Sequence, residues 1–294
     1  MSDVIGVTGA SGRLGRRVVE HLLERVPADR IRALTRHGER LEDLARRGVT
    51  VVRGDFNDPE ELTRSLEGVA RLLMISTDDL RPGVRMVQHR NAVQAARRAG
   101  VRHVAYTSAL DAARNPVSFM RDHAETEVII RDSGLRFTFL RNNLYAESLL
   151  TSAPQAVQTG VLRLPAGEGR VSFVAREDCA RLAAAVLTTP GHEERIYEVT
   201  GPESLSYAEV AAVLSELSGR AVRYEPVSLE EYTRSMQAAG LAPAAVEAFA
   251  SLYRAIAQGF FDRVSPAVRE VTGQEPLPLR EALLPYRAQL RPSG

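Results

Sequence analysis

Thr8-Gly9-Ala10-Ser11-Gly12-Arg13-Leu14-Gly15 follows the apolar run Val4-Ile5-Gly6-Val7 and leads into the amphipathic stretch Leu14 to Arg25. A buried strand, a glycine turn and a helix are expected in that order. At such a junction the first helical N–H groups point beyond the strand end, where a dinucleotide pyrophosphate fits. Gly9 suits a tight turn, Gly12 a close backbone approach and Gly15 close packing of helix on strand, with Thr8, Ala10, Ser11, Arg13 and Leu14 completing the cradle. The spacing is G-x-x-G-x-x-G, one residue longer than the G-x-G-x-x-G fingerprint.

Outward from this turn the same alternation continues. Ile31 to Leu34, Val49 to Val52, Leu72 to Ile75, Val101 to Thr107 and Arg136 to Leu140 read as strands. Between them Arg40 to Arg47, a segment opened by Asp58-Pro59-Glu60-Glu61, Val84 to Ala99 and Ser118 to Ser133 read as helices. Asp58 is placed as an N-cap and Pro59 as the first helical residue. Strands regularly separated by helices imply a doubly wound parallel sheet, a Rossmann-type α/β fold. After Asn143 the regularity weakens: Glu177 to Leu187 and Ser206 to Ser218 look helical, Ile196 to Val199 and Val222 to Pro226 extended, and the rest mostly helical with breaks at Gly240, Gly259, Pro266 and Gly273. The expected organisation is a nucleotide-binding domain over 1–150 and about 175–200, with a smaller C-terminal α+β substrate lobe over about 151–174 and 201–294.

The second strand ends Leu34-Thr35-Arg36-His37, without the carboxylate that would grip the ribose hydroxyls of NAD. Arg36 is placed to pair with a 2′-phosphate, assisted by Arg13, so NADPH is expected over NADH. At the other strand ends, Asp55 and Phe56 are candidates to flank the adenine, and Ser76, Thr77, Thr107, Ser108, Asn142 and Asn143 are polar residues where ligands of parallel sheets bind. Each of these equally suits a helix cap or loop contact.

Composition narrows the chemistry. All 38 basic residues are arginine, so no lysine is available as Schiff base, phosphate-loop cation or general base. The formal charge is +1 and the arginines are scattered, so no nucleic-acid groove is expected. No run is long and apolar enough for a membrane span. The start Met1-Ser2-Asp3-Val4 lacks a basic region followed by an apolar one, and the cytoplasm is the expected compartment. Cys179, the single cysteine, excludes an intrachain disulfide and reads as core. His21, His37, His89, His103 and His192 show no metal-ligand spacing. Monomer and homodimer stay equally open.

Thr8 to Gly15, Arg36, Gln88-His89-Arg90-Asn91-Ala92, Ala95 to Val101, Tyr106-Thr107-Ser108 and Leu140 to Tyr145 together resemble the NmrA-like branch of the atypical short-chain dehydrogenase/reductases, and within it the bacterial NADPH:quinone oxidoreductases. His123 to Glu127, Thr151 to Pro154 and Gly259 to Asp262 extend the resemblance nearly end to end. It implies cofactor contacts from the glycine turn, Arg36, Ser76, Thr77, Ser108, Asn142 and Asn143, and a substrate cleft shaped by Tyr145, Phe173 and Phe260. Most short-chain dehydrogenases carry Tyr-x-x-x-Lys on the helix after the fifth strand; this helix carries His123 and Glu127 at the same spacing.

Hydride delivery to a simple ketone makes an alkoxide that needs a positioned acid. Delivery to a quinone makes a phenolate, with a pKa of about 10 on the tyrosine model, which water protonates. A quinone reductase therefore needs mainly a well-held nicotinamide and a flat apolar slot. Two readings of the helix pair stay open: His123 as proton donor or ribose contact with its pKa raised by Glu127, or an exposed His–Glu pair. The expected function is NADPH-dependent reduction of quinone-like acceptors. The alternatives are an NADP(H)-binding redox sensor and a reductase of another aromatic or enone substrate.

Overall fold

The computed structural model describes residues 3–79, 81 and 83–290; Met1 and Ser2 of the start discussed above lie outside them. In chain order the elements are β1 (Val4–Val7), α1 (Arg13–Leu23), β2 (Ile31–Thr35), α2 (Glu42–Arg46), β3 (Thr50–Arg53), α3 (Pro59–Leu66), β4 (Val69–Met74), α4 (Val84–Arg98), β5 (His103–Ala109), α5 (Met120–Asp132) and β6 (Arg136–Asn142). There follow α6 (Ala153–Thr159), β7 (Val161–Leu164), β8 (Arg170–Val171), α7 (Arg176–Thr188), β9 (Arg195–Val199), β10 (Leu205–Ser206), α8 (Tyr207–Ser218), β11 (Arg223–Pro226), α9 (Leu229–Ala238), α10 (Pro243–Ala257), α11 (Ala267–Thr272) and α12 (Leu279–Leu283).

Seven strands form one sheet in the order β3-β2-β1-β4-β5-β6-β9. The pairs β2/β3, β1/β2, β1/β4 and β4/β5 are parallel. The order runs outward from β1 in both directions, the doubly wound arrangement expected from the alternation, with a switch point between β1 and β4. Asp58 caps α3 by accepting from the Glu61 N–H at 2.9 Å, with Pro59 in the first turn. The helix expected over Arg40 to Arg47 is instead a 3-10 turn (Gly38–Leu41) followed by the short α2.

The chain clusters into two compact units: Met1–Ala109 with Asp122–Arg141 and Cys179–Tyr197, and Leu110–Arg121 with Asn142–Asp178 and Glu198–Gly294. Segments 110–121 and 142–150 thus cluster with the second unit. In the first, Leu34, Phe56, Leu62, Leu66, Leu72, Val104, Tyr106 and Phe139 belong to one buried cluster. α4 buries Arg85, Gln88, His89, Ala92, Ala95 and Ala96 along one stripe. A small residue at the later positions permits close helix–sheet packing, while the earlier ones bring polar groups inside.

The second unit contains two small sheets, β7/β11 parallel and β8/β10 antiparallel. The extended reading of Val222 to Pro226 finds its partner in Val161–Leu164, a strand the alternation did not pick out. Ser206 and Glu209 close a capping box at the start of α8. Among the described residues no helix is long and apolar enough to cross a membrane.

Candidate functional site

The glycine turn has the geometry its residues require. Gly9 sits at φ +59°, a conformation that costs a side-chain-bearing residue strain. A Cβ at Gly15 would lie 2.4 Å from the Gly9 carbonyl oxygen and 2.8 Å from Ala10 Cα, so only glycine lets α1 approach the turn. The Gly12 N–H closes the turn onto the Gly9 carbonyl at 2.9 Å. α1 has no acidic residue in its first turn and no side-chain cap, which leaves its N-terminal N–H groups and the positive end of its dipole for an anion.

Hydroxyl groups stitch the strand ends around the turn. Ser11 Oγ and Thr35 Oγ1 lie 2.7 Å apart, joining the turn to β2. Thr8 Oγ1 accepts from the Ile75 N–H at 2.9 Å, joining β1 to the end of β4. The Ser76 N–H donates to Thr107 Oγ1 at 2.9 Å, joining β4 to β5. Thr8, Ser11, Ser76 and Thr107 thereby brace the rim on which the glycine turn rests.

Arg13 and Arg36 are both exposed, and neither makes an ion pair or hydrogen bond with another described residue. Asp79 feels the charge of Arg36 but is itself hydrogen-bonded to Arg81 at 3.0 and 3.2 Å. Asp55 turns inward to its own loop, its Oδ1 accepting from the N–H and the side-chain amide of Asn57, each at 2.9 Å. Phe56 departs from its expected place: its ring packs in the core cluster, and its carbonyl accepts from Asn91 at 2.9 Å, so no open aromatic face is offered to an adenine.

The His123–Glu127 pair also differs from both readings of it. Each side chain is buried, and each belongs to a separate set of partners. One network begins at Arg85, a buried arginine without a carboxylate partner among the described residues. Arg85 donates to His123 Nε2 at 2.7 Å; His123 Nδ1 is 2.9 Å from the Tyr106 hydroxyl. The Thr126 hydroxyl donates to the Asp122 carbonyl at 2.6 Å. From the other side the Thr77 N–H donates to His89 Nε2 at 3.2 Å, and His89 Nδ1 lies 2.8 Å from Thr126 Oγ1.

The donors fix the hydrogens of both histidines. A guanidinium and a backbone N–H only donate, so both histidines present Nε2 as a lone pair and carry their hydrogen on Nδ1. His123 therefore donates to the Tyr106 hydroxyl, and Thr126 donates to the Asp122 carbonyl. Burial, then Arg85, then His89 push the His123 pKa well below its ordinary value. Burial and Arg85 lower that of His89 to about 3. Glu127 does not raise the His123 pKa, and His123 is neutral with its hydrogen committed.

Glu127 is the centre of a charge clamp. Its Oε1 accepts from Ser108 Oγ at 2.7 Å and Arg141 Nε at 2.8 Å; its Oε2 accepts from Arg141 at 2.7 Å and Arg131 at 3.4 Å. A carboxylate has about four acceptor positions, and here they are filled.

In the second unit, Asn143 is fully engaged: its amide donates to Ser172 Oγ and the Phe261 carbonyl, and its oxygen accepts from the Leu144 N–H. Its side chain holds the fold and has little left for a cofactor. Asn142 donates to the Tyr145 hydroxyl at 3.1 Å while its own buried Oδ1 lacks a partner. The Tyr145 ring lies under Arg176 at 4.9 Å. Phe173 is buried against Tyr207, edge to face at 6.3 Å, and so departs from its expected place in a cleft wall. Phe260 does line a cavity of roughly 410 Å³, together with Leu110, Asp111, Arg114, Asp262 and Arg263.

Sequence reasoning passed over Arg85, His89, Tyr106, Thr126 and Arg141. The signal for three of them was readable: Ala96, Ala92, His89 and Arg85 share one helical stripe, as do Ile130, Thr126 and His123.

The NmrA-like family model matches residues 1–272. The chain is 40% identical over 238 residues to quinone oxidoreductase 2 of Escherichia coli strain K12, covering 81% of this chain and 82% of that one. It is 35% identical over 274 residues to an NAD(P)H azoreductase of Xenophilus azovorans, covering 92% and 93%. The crystal structure of an NADPH-dependent quinone oxidoreductase from Escherichia coli, complexed with NADPH, superposes with a TM-score of 0.90 at 35% identity, covering 98% of this chain and 99% of that one.

Proposed function

The chain belongs to the NmrA-like family, and from that premise we propose that it is an NADPH-dependent reductase that delivers a hydride directly to quinone-like acceptors. The observation that carries this reading is the glycine turn, whose close approach at Gly15 and uncapped helix end form a cradle for a pyrophosphate, in a chain that superposes on a relative holding NADPH.

NADPH, when bound, supplies the hydride. The N-terminal N–H groups of α1 hold the pyrophosphate, and Arg36 with Arg13 pairs with the 2′-phosphate as the two exposed, unpartnered cations beside the turn. Thr8, Ser11, Ser76 and Thr107 keep the rim rigid. The chain has no lysine, so Tyr-x-x-x-Lys chemistry is absent, and the residues of the α5 helix do not replace it. His123 spends its hydrogen on Tyr106 and Thr126 spends its own on the Asp122 carbonyl, and Glu127 is saturated by donors. Such a site suits an acceptor whose reduced form takes its proton from water, which a hydroquinone anion does and an alkoxide does not. In the second unit, Phe260 and the cavity it lines are the place we assign to the acceptor.

Rapid mixing of the chain with NADPH and benzoquinone tests the reading. The expected result is enzyme-dependent loss of the reduced-nicotinamide absorbance. Tight NADPH binding without turnover across several quinones would instead favour a sensor.

A further inference from the structure

Ser108 lies near the carboxyl end of β5, where ligands of a parallel sheet bind. In the sheet order, β2 and β5 fall on opposite sides of the β1/β4 switch point. With Arg36 at the end of β2 assigned to the adenosine phosphate, β5 lies on the side of the nicotinamide half. A serine hydroxyl has one hydrogen and two lone pairs. The Ser108 hydrogen goes to Glu127 Oε1 at 2.7 Å. It cannot be withdrawn cheaply, because the same carboxylate is buried and held by Arg141 at 2.8 and 2.7 Å and by Arg131. No described residue donates to Ser108 Oγ.

We infer that Ser108 is an acceptor-only group toward the site, fixed in that polarity by Glu127, and that it receives an N–H or O–H donor from the nicotinamide half of the bound cofactor. The inference rests on the reading that this chain binds NADPH. Two donors have the right chemistry, the carboxamide N–H and a hydroxyl of the nicotinamide ribose. Glu127 is then a positioning residue: it touches no reacting atom and acts through the orientation of one hydrogen. The same polarity prevents Ser108 from donating to the oxygen of an acceptor.

The test is a comparison of dissociation constants for NADPH and its 3-acetylpyridine analogue, which keeps the ribose but has no carboxamide N–H. Wild type, Ser108→Ala and Ser108→Thr are titrated as full chains. If the carboxamide is the donor, Ser108→Ala weakens NADPH about two- to tenfold, the range of one neutral hydrogen bond, and leaves the analogue unchanged. Equal weakening of both, restored by Ser108→Thr, assigns the ribose hydroxyl. Wild-type affinity of Ser108→Ala for both compounds overturns the inference, as does equal weakening that Ser108→Thr does not restore. Should Ser108→Ala fail to fold, Ser108→Cys replaces it in the same titration; its thiol is a weak acceptor, so NADPH binding weakens or its preference over the analogue falls, and wild-type values for both overturn the inference. A wild-type chain that binds NADPH and reduces benzoquinone while Ser108→Ala behaves as wild type refutes this inference alone. A wild-type chain that binds neither dinucleotide refutes the reading beneath it.

Discussion

The two ends of the strand rim in the first unit solve opposite problems. At the glycine turn and the end of β2, the backbone turns at positive φ and packs closely at Gly15, and Arg13 and Arg36 stand exposed without a partner among the described residues. Toward the ends of β4 and β5, nearly the reverse holds: Arg85, His89, Tyr106, His123 and Thr126, and separately Ser108 and Glu127, are buried and hydrogen-bonded. An open, cationic end is complementary to phosphates. A closed end, with His123 already donating to Tyr106 and Ser108 to Glu127, suits the proposed role of a site that transfers no proton. Binding charge and chemical silence are thus separated along one sheet edge.

Glu127→Ala attacks the closed end most severely. Removing one member of a buried charge cluster takes from Arg141 and Arg131 the carboxylate they share, and a loss of about 3–5 kcal/mol in denaturant unfolding is expected. At the open end, Gly15→Ala puts a Cβ 2.4 Å from the Gly9 carbonyl. Backbone on both sides cannot yield freely, so a stability loss of about 1–3 kcal/mol is expected with a collapse of NADPH affinity. Arg36→Ala is subtler and more diagnostic. It should weaken NADPH about ten- to a hundredfold, the range of a charge-assisted bond, while NADH affinity stays unchanged. Equal effects on both cofactors would remove the proposed 2′-phosphate grip.

Two buried histidines, His89 at the closed end and His103 at the start of β5, also give a pH signature. His89 and His103 titrate near 3 and 4 in the folded chain, each depressed mainly by burial, against about 6.5 when unfolded. The unfolded chain therefore takes up protons that the folded chain refuses. Stability is full above about pH 6.5 and falls as pH drops toward these folded values, by at most about 1.4 kcal/mol per pH unit for each histidine. His89→Gln keeps one acceptor and one donor, and should flatten that slope by one histidine's share in unfolding measured between pH 7 and 5.

The open end was legible in the sequence because its requirements are local. Gly9 and Gly15 answer to backbone geometry within a few residues, and Arg36 follows directly from the end of β2. The closed end was not, since its bonds span the chain: Arg85 meets His123 across 38 positions and Ser108 meets Glu127 across 19. The i, i+4 spacing of His123 and Glu127 suggested one pair; small changes in facing direct them to different neighbours. Phe56 and Phe173 show a related limit, because an aromatic near a strand end reads equally as cleft wall or core. β7 and β8 escaped notice for another reason, as strands of four and two residues owe their form to partners distant in sequence.

In the proposed reaction, hydride leaves NADPH for a quinone at a site where His123 donates no proton. The direct measurement is the single-turnover rate of NADPH oxidation by benzoquinone from pH 6 to 9, in wild type and His123→Gln. The same profile is expected for both proteins, with rates agreeing within about threefold, less than the usual contribution of a general acid. A fall in the wild-type rate as a group deprotonates near neutrality, absent from His123→Gln, would contradict it.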